Sequence, residues 1–306
     1  MAQKKKQSTK FDSKTVLTII VVIAIIVFAY FYKDKVSDTE TYLDVSGNFA
    51  VHFIDVGQGD SILIQTPDNQ FMLIDTSEPT QYNKLTGYLD NFKVKEFKYV
   101  IFTHPDADHI GSADKIVKNY NIETLIMPSA TSTSQTFERL VTQIENKNLE
   151  ITPPVPGEHF KFGEAEFVIL GPNSETYDNS NNYSVVIKMI YGKTSFVFTG
   201  DAESLSENEI ISFCSKNNID LKSDVLKVGH HGSSTSSSKK FLNALKPSIA
   251  VISCAKGNPY GHPHAETLSR LEAVGAEILR TDLQGDIVVI SDGTKLSVKT
   301  SKENAT

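Results

Sequence analysis

The sequence of 306 residues contains no tryptophan, only two cysteines and a single long uncharged run. Two thiols, Cys214 and Cys254, are too few for a disulfide framework or for a zinc site built from thiolates. With 17 glycines and 11 prolines, the chain is neither collagen-like nor proline-rich. Hydrophobic residues make up 40% and charged residues 22%, which excludes a mainly disordered chain and predicts one large globular domain or two small ones.

The long uncharged run lies near the N-terminus, at residues 15–32 (TVLTIIVVIAIIVFAYFY). As a helix, these 18 residues would extend about 27 Å, which is close to one hydrocarbon core. Five lysines lie within residues 1–14, so the positive-inside rule predicts a cytoplasmic tail, a single-pass signal-anchor helix in the cell membrane and an extracytoplasmic remainder. A cleaved signal peptide and a buried soluble helix are the alternatives, but the run is longer than a usual signal h-region and lacks an A-x-A-like cleavage site.

The rest of the chain divides into a polar stalk at residues 33–47, a domain at 48–300 and a short tail at 301–306. The domain alternates short runs rich in β-branched and aromatic residues with amphipathic segments, and helices are expected at residues 134–147 and 203–216. This alternation predicts one α/β (α+β) domain whose central sheets are covered by helices.

Charge is distributed unevenly between the two ends of the chain. Residues 1–35 hold seven lysines and two aspartates, which leaves 23 basic and 35 acidic residues and a formal net charge of −12 for the remainder. Domains that grip nucleic acid through its phosphates usually carry a basic stripe, and single-strand grooves interleave basic and aromatic residues. The sequence shows neither pattern, which weighs against a free-standing DNA-binding module.

Six of the eight histidines fall in three tight clusters. The first cluster, H-P-D-A-D-H, directly follows an apolar strand and contains His104, Asp106, Asp108 and His109. Four imidazole and carboxylate groups on one strand-to-helix loop can converge on one point, and such a ligand set suits zinc, manganese or iron. A solvated polar loop would account for one His-x-Asp pair, but not for two histidines and two aspartates at this spacing.

Three further polar motifs follow apolar strands: Asp201 in F-T-G-D, His230 and His231 in K-V-G-H-H-G-S, and His262 and His264 in Y-G-H-P-H. A carboxylate at the end of a strand can lie between two cations, although a lone Gly-Asp turn is common. An exposed histidine-rich turn is the alternative explanation for each histidine pair.

These motifs together resemble the metallo-β-lactamase-fold hydrolases over nearly all of residues 48–300. The family pattern H-x-H-x-D-H appears here with Asp106 in place of its second histidine. With FIDVGQGDS at 53–61, NNYS at 181–184 and KVGHHGS at 227–233, the chain resembles in particular the ComEC-type outer domain of DNA-uptake (competence) channel proteins, as a stand-alone relative. It is also similar to cell-wall phosphorylcholine esterases. The resemblance implies an αββα sandwich with a metal site along the edge of two sheets.

Carried over residue by residue, the resemblance implies two divalent metal ions, zinc or manganese. His104 and Asp106 would hold the first ion. Asp108 and His109 would hold the second ion, and Asp201 would bridge the two.

The last ligand of the second ion would be His231, or alternatively His230 or His262. Where the family has a third histidine for the first ion, this chain offers only Asn182 and its neighbours, so the resemblance implies a weaker first site. A simple turn aspartate remains the alternative for Asp60. Supporting or substrate-binding roles are expected for Asp60, Asn182 and His264.

The implied activity is phosphodiester hydrolysis outside the cytoplasm, by a hydroxide held between the metal ions and without a covalent intermediate. Asp108 would orient that hydroxide, and His230 or His262 would steady or protonate the leaving oxygen. DNA is the expected substrate, and a cell-wall teichoic-acid or phosphorylcholine diester is the alternative that suits an acidic surface. Hydrolysis of a β-lactam or lactone, and an inactive binding or assembly module of a DNA-uptake system, are further alternatives. A protein partner cannot be predicted from the sequence.

Overall fold

The computed structural model describes residues 14, 18–28, 44, 45 and 47–302. Residues 18–28 are helical and belong to a small unit, Met1–Asp44, while Val45–Thr306 forms a separate compact unit. Within the described ranges, no helix is both long enough and apolar enough to cross a membrane. The predicted N-terminal tail, anchor and stalk lie partly outside the described residues.

Within residues 47–302, fifteen strands form two mixed sheets. In spatial order, the first sheet consists of β15 (Leu296–Thr300), β14 (Ile287–Ser291), β1 (Phe49–Phe53), β2 (Ile62–Gln65), β3 (Phe71–Ile74), β4 (Glu96–Ile101), β5 (Asn121–Ile126) and β6 (Ile151–Thr152). The second sheet consists of β13 (Glu277–Arg280), β12 (Ile249–Ile252), β11 (Val225–Lys227), β10 (Thr194–Phe198), β9 (Val186–Tyr191), β8 (Ala165–Gly171) and β7 (His159–Phe162).

Eight α-helices lie between the strands of residues 47–302, namely α1 (Tyr82–Asn91), α2 (Ala107–Ile110), α3 (Ala113–Asn119), α4 (Gln135–Asn146), α5 (Ser204–Asn217), α6 (Lys239–Leu245), α7 (Ala265–Ala273) and α8 (Thr281–Gln284). Helix α4 begins after Ser134, whose hydroxyl accepts a hydrogen bond from Phe137 N at 3.2 Å. Leu140 and Ile144, one turn apart, are the buried residues of α4. The helices predicted at 134–147 and 203–216 are therefore confirmed.

The core lies between the two sheets, because alternate residues of each strand point inward. Phe49 and Phe53 of β1 contact the second sheet, and their ring centroids lie 5.7 Å from Phe196 and 6.4 Å from Phe198 respectively. Helices α5, α6 and α7 cover the outer face of the second sheet in a separate apolar cluster. On the outer face of the first sheet, His52 Nδ1 lies 3.0 Å from the hydroxyl of Tyr88 in α1. The expected sandwich of two sheets between helices is thus confirmed.

Strand direction gathers the polar motifs at one edge of the sandwich. Strands β3, β4 and β5 are parallel in the first sheet, and β10, β11, β12 and β13 are parallel in the second. Loops that follow parallel strands emerge at the same edge of a sheet. The histidine and aspartate motifs of the sequence follow β4, β10, β11 and β12 and therefore emerge together.

The loop between β1 and β2 packs directly against the backbone of this edge. Asp60 N donates a hydrogen bond to Asp108 O at 3.2 Å. Gly59, with φ of +108°, lies so close that a Cβ at this position would overlap the same carbonyl oxygen. A side chain at residue 59 is therefore excluded, and the contact fixes Asp60 close to the first histidine cluster.

Candidate metal centre

The carboxylate of Asp201, in the turn after β10, lies at the centre of the site. Its oxygens lie 3.2 Å from His109 Nε2, 3.4 Å from His231 Nε2, 3.7 Å from His230 Nε2 and 4.0 Å from His104 Nε2. The Asp201 side chain is only 4% exposed, so this contact between one carboxylate and four imidazoles is shielded from bulk water.

The loop after β4 surrounds Asp201 with further ligand atoms. Asp106 Oδ2 lies 3.7 Å from His104 Nε2, on the more exposed side of the site. Asp108 Oδ2 lies 3.3 Å from His231 Nε2. The ligand atoms of His104, His109 and Asp201 all lie within 4.8 Å of one another, and so do those of Asp108, His109 and His231. Two overlapping three-residue groups therefore share His109.

His104 Nε2 is buried and makes no hydrogen bond to any described residue, and Asp201 Oδ1, which is also buried, has only the ion-pair contact with His109 Nε2 at 3.2 Å. A buried polar atom without a partner is costly, so such atoms indicate a ligand. Imidazole nitrogens and carboxylate oxygens are the donor set preferred by zinc, iron and manganese. The residues at this edge thus fit a divalent metal, as the sequence motifs imply.

A second carboxylate, Asp75, orients the shared histidine. Asp75 follows β3, and its Oδ2 accepts a hydrogen bond from His109 Nδ1 at 2.7 Å. The same carboxyl group accepts hydrogen bonds from Thr103 N at 2.8 Å and Thr103 Oγ1 at 2.7 Å. This pairing directs His109 Nε2 toward Asp201, as carboxylates commonly do for metal-binding histidines. Sequence reasoning missed Asp75, although an aspartate at the end of the apolar strand FMLI was a usable signal.

A backbone carbonyl and a buried ion pair, both near Nδ1 of the ring, orient His231. Its Nδ1 donates to Ser253 O at 3.0 Å and lies 3.5 Å from Asp60 Oδ1. Asp60 Oδ2 in turn lies 2.7 Å from Lys227 Nζ, and both side chains are almost fully buried. Lys227 also donates to Val228 O at 2.9 Å. Sequence reasoning missed Lys227, whose signal was a charged residue inside the apolar strand.

The buried ion pair controls the charge of Asp60. Burial alone raises the pKa of Asp60, but the Lys227 ammonium and the hydrogen bond from His231 outweigh it and lower the pKa to about 2. Asp60 is therefore a carboxylate at neutral pH.

The predicted residues His230 and His262 lie on the open side of the site. His230 is partly exposed, and its Nδ1 lies 3.2 Å from Thr235 Oγ1 while its Nε2 faces Asp201. The rings of His230 and His262 have centroids 5.5 Å apart. Both histidines thus border the cluster around Asp201, with His230 closer to it.

The other two predicted supporting residues, Asn182 and His264, hold loops together. Asn182 Oδ1 accepts hydrogen bonds from Glu203 N and Ser206 N, both at 3.3 Å, at the start of α5. His264 Nδ1 accepts from Ser234 N at 2.9 Å, and its Nε2 donates to the carbonyl of residue 260 at 3.1 Å. These contacts occupy the amide oxygen of Asn182 and both ring nitrogens of His264.

The carboxylates keep two of the imidazoles protonated when no metal is bound. Burial alone lowers the pKa of His109 and His231, but nearby carboxylates, Asp201 above all, outweigh it and raise both values well above 6.5. Burial opposes ionisation of Asp201, yet His231 and His109 hold its pKa well below 3.8. Burial lowers the pKa of His104 to about 3, so this imidazole is neutral.

Metal binding should therefore release protons. A metal ion binds neutral imidazole, so the protons of His109 and His231 must leave when an ion enters at pH 7. We expect release of about two protons per chain and an apparent affinity that rises with pH. Titration calorimetry with zinc or manganese in two buffers of different ionisation enthalpy measures this release. Identical heats in the two buffers would contradict the protonation states described above.

The same raised pKa values have a consequence for the metal-free fold. The interactions of protonated His109 and His231 with the carboxylates stabilise the metal-free fold fully at pH values below 6.5, the unfolded-state pKa of histidine. This stabilisation is lost as the pH rises through the folded-state pKa values of the two residues.

Removing the lysine of the buried ion pair should destabilise the protein. Lys227→Met leaves the Asp60 carboxylate buried without its partner, which we expect to cost about 3–5 kcal/mol in the free energy of unfolding. The control is the double variant Asp60→Asn with Lys227→Met, which removes both charges and should recover much of the loss. Denaturant titration measures both variants, and equal losses would show that the unpaired charge is not the cause.

Comparison with known proteins agrees with this fold. The model of the metallo-beta-lactamase superfamily matches residues 54–256. ComE operon protein 3 of Bacillus subtilis is 31% identical over 80% of this chain and 33% of its own length. Competence protein ComA of Neisseria gonorrhoeae is 30% identical over 77% of this chain and 31% of its own length. The chain thus spans about a third of these curated relatives.

Among solved structures, the metallo-beta-lactamase fold protein YhfI from Bacillus subtilis superposes on this chain with a TM-score of 0.53. The superposition covers 80% of this chain and 100% of that protein at 12% identity, which shows the fold alone. The family resemblance inferred from the motifs is confirmed, because the family model covers most of the domain and the structure has the two-sheet sandwich. The chain belongs to the metallo-beta-lactamase superfamily, with the fold of its metal-dependent hydrolases.

Proposed function

We propose that this domain is a metal-dependent phosphodiesterase and that DNA is its substrate. The observation that carries the proposal is the buried Asp201 carboxylate, faced by four imidazoles and flanked by Asp106 and Asp108. One relative, which is named as a competence protein, supports DNA as the substrate.

The site would hold its metal through residues of several strand ends. His104, Asp106 and Asp201 would hold one ion, and Asp108, His109, His231 and Asp201 the other. Bound there, divalent ions supply activation of water and neutralisation of charge on a phosphoryl group.

The chain's own residues would position the substrate and move its protons. Burial raises the pKa of Asp108, but His109 and His231 outweigh it, so the net pKa lies below 3.8 and Asp108 is ionised at neutral pH. As a carboxylate it would orient the attacking water as a hydrogen-bond acceptor rather than act as an acid. His230, whose side chain is 23% exposed, lies where it can donate a proton to the leaving oxygen. The exposed carboxylate of Asp106 lies on the side from which substrate enters.

One observation favours a second substrate class. The net charge of −12 beyond residue 35 repels a polyanion, whereas a small acidic or zwitterionic diester of the cell wall, such as a teichoic-acid-type or phosphorylcholine diester, would tolerate this charge better. This candidate shares the site and the chemistry proposed for DNA, and it differs only in the group attached to the phosphate.

The activity and its substrate can be tested together. The full chain, solubilised in detergent, is stripped of metal, reloaded with zinc or manganese, and assayed on labelled single- and double-stranded DNA, bis-p-nitrophenyl phosphate and p-nitrophenyl phosphorylcholine. We expect metal-dependent DNA cleavage, and Asp108→Ala should lower kcat/KM by about 100-fold or more because it removes the acceptor. Asp90→Ala, an exposed aspartate on α1, is the matched control and should keep full activity.

The outcomes separate the hypotheses. Turnover of the small diesters with DNA left intact would identify a cell-wall diester, rather than DNA, as the substrate class. Failure to hydrolyse any of these phosphodiesters would refute the proposed enzymatic activity. The remaining hypothesis would be a binding or assembly module, whose biological role would survive Asp108→Ala.

We propose in addition that residues 15–32 anchor the domain to the outer side of a cell membrane. The 18 uncharged residues and the preceding lysines support this arrangement. We expect the full chain in the membrane fraction and accessible to protease added outside the cell. Deletion of residues 1–35 should move it to the soluble fraction. A full chain found in the soluble fraction would contradict the anchor.

A further inference from the structure

Tyr260 presents an open aromatic face beside the candidate metal centre. The residue is 61% exposed, and its ring stacks on His262 with centroids 5.6 Å apart and planes inclined by 24°. The ring of His262 lies 5.5 Å from that of His230, whose Nε2 is 3.7 Å from Asp201 Oδ2. Three neighbouring rings therefore lead from the solvent-facing side of Tyr260 to the cluster of ligand atoms.

The loop that carries Tyr260 is fixed by a dense set of hydrogen bonds. Asn258 Nδ2 donates to Ala255 O at 2.9 Å and to His262 O at 2.6 Å. Asn258 Oδ1 accepts from Tyr260 N at 3.2 Å and from His262 N at 3.0 Å. His264 Nε2 donates to Tyr260 O at 3.1 Å. The exposed ring is thus held in one place, and a ligand that binds to it loses little of its binding energy in ordering the loop.

Stacking on an aromatic ring would also explain how an acidic domain can bind a negatively charged strand. Most affinity for nucleic acid normally comes from basic side chains on phosphates, and this acidic domain has no basic stripe in its sequence. Stacking of a base on an aromatic ring needs no positive charge and contributes about 5- to 150-fold in affinity for each base. Every nucleobase has such a face, so the contact does not depend on DNA sequence.

We propose that Tyr260 and His262 form a base-stacking subsite that holds a nucleobase of the strand whose phosphate is bound at Asp201. This inference rests on the proposed phosphodiesterase function and specifies its substrate as single-stranded nucleic acid, because bases within a duplex do not expose their faces. Tyr260 and His262 would contribute affinity and fix the position of the strand, and the residues around Asp201 would carry out the hydrolysis.

A quaternary ammonium group would also be attracted to an aromatic face. Sites of that kind surround the cation with several rings. Within residues 47–302, however, Tyr260 is the one exposed tyrosine or phenylalanine, so the surface offers a single open ring rather than a cage. A flat ring on an open surface is complementary to a planar group, which favours the nucleobase.

Binding of labelled strands tests the subsite. The manganese-loaded full chain carries Asp108→Ala so that the strand stays intact, and fluorescence anisotropy gives Kd for a single-stranded oligonucleotide and for the same strand with abasic positions. Tyr260→Ala should weaken binding of the normal strand by about 5- to 150-fold. Tyr260→Phe, the matched control, keeps the ring and should bind like the parent. On the abasic strand, the parent and Tyr260→Ala should bind alike.

Three results would overturn the subsite. One is equal binding of the normal strand by the parent and Tyr260→Ala, and another is equal weakening by Tyr260→Ala on normal and abasic strands. The third is a Tyr260→Ala defect limited to p-nitrophenyl phosphorylcholine, which would assign the ring to an ammonium group. Cleavage by the chain with Asp108 intact is measured separately. If cleavage is absent while base-dependent binding persists, the proposed hydrolysis fails and the stacking subsite stands.

Discussion

The Asp201 carboxylate lies in a space closed to bulk water, and a buried carboxylate stays ionised only when positive charge is close to it. His109 and His231 supply that charge as protonated imidazoles when no ion is bound. A divalent ion can replace the protons, because the same nitrogen and oxygen atoms already converge on one point. Protons and metal thus compete for one set of atoms. The strength of the site is set by the carboxylates that raise the pKa of the histidines as much as by the histidines themselves.

The convergence of these atoms depends on the fold at several separate strand ends. Asp75, after β3, holds the far nitrogen of His109, and the carbonyl of Ser253, after β12, holds that of His231. His230 and His231 both have left-handed backbone, with φ of +50° and +52°, and their ring planes are inclined by 75°. Such backbone costs about 1–3 kcal/mol at each residue and persists where the surroundings fix it. Here the strain turns two adjacent histidines so that both Nε2 atoms face Asp201.

Sequence patterns could predict the residues that follow apolar parallel strands, because strand direction alone brings His104 and Asp201 to one edge. The family resemblance put His231 ahead of His230, but local patterns alone could not rank the two, since they do not encode the backbone angles that aim the rings. Asp75 was missed because one aspartate after an apolar strand is also what an ordinary turn contains. Lys227 was missed because its partner, Asp60, lies in a loop of the other sheet and far away in sequence. The prediction of an α/β domain needed only the alternation of apolar residues, which local sequence does carry, whereas the two-sheet sandwich followed from the family resemblance.

The acidic surface and the metal site place opposite demands on a polyanionic substrate. A protein that neutralises Z phosphates loses affinity for single strands with a slope of about −0.7Z in log affinity against log salt. With a formal charge of −12 beyond residue 35, Z must be small, and the attraction of phosphate is concentrated at the ions. The remaining affinity would have to come from contacts that salt does not screen, and the proposed stacking on the exposed ring of Tyr260 would be one such contact. If DNA is the substrate, as proposed, such a domain would hold a strand weakly and at one position, which suits an enzyme that cuts a strand delivered to it rather than one that captures strands from solution.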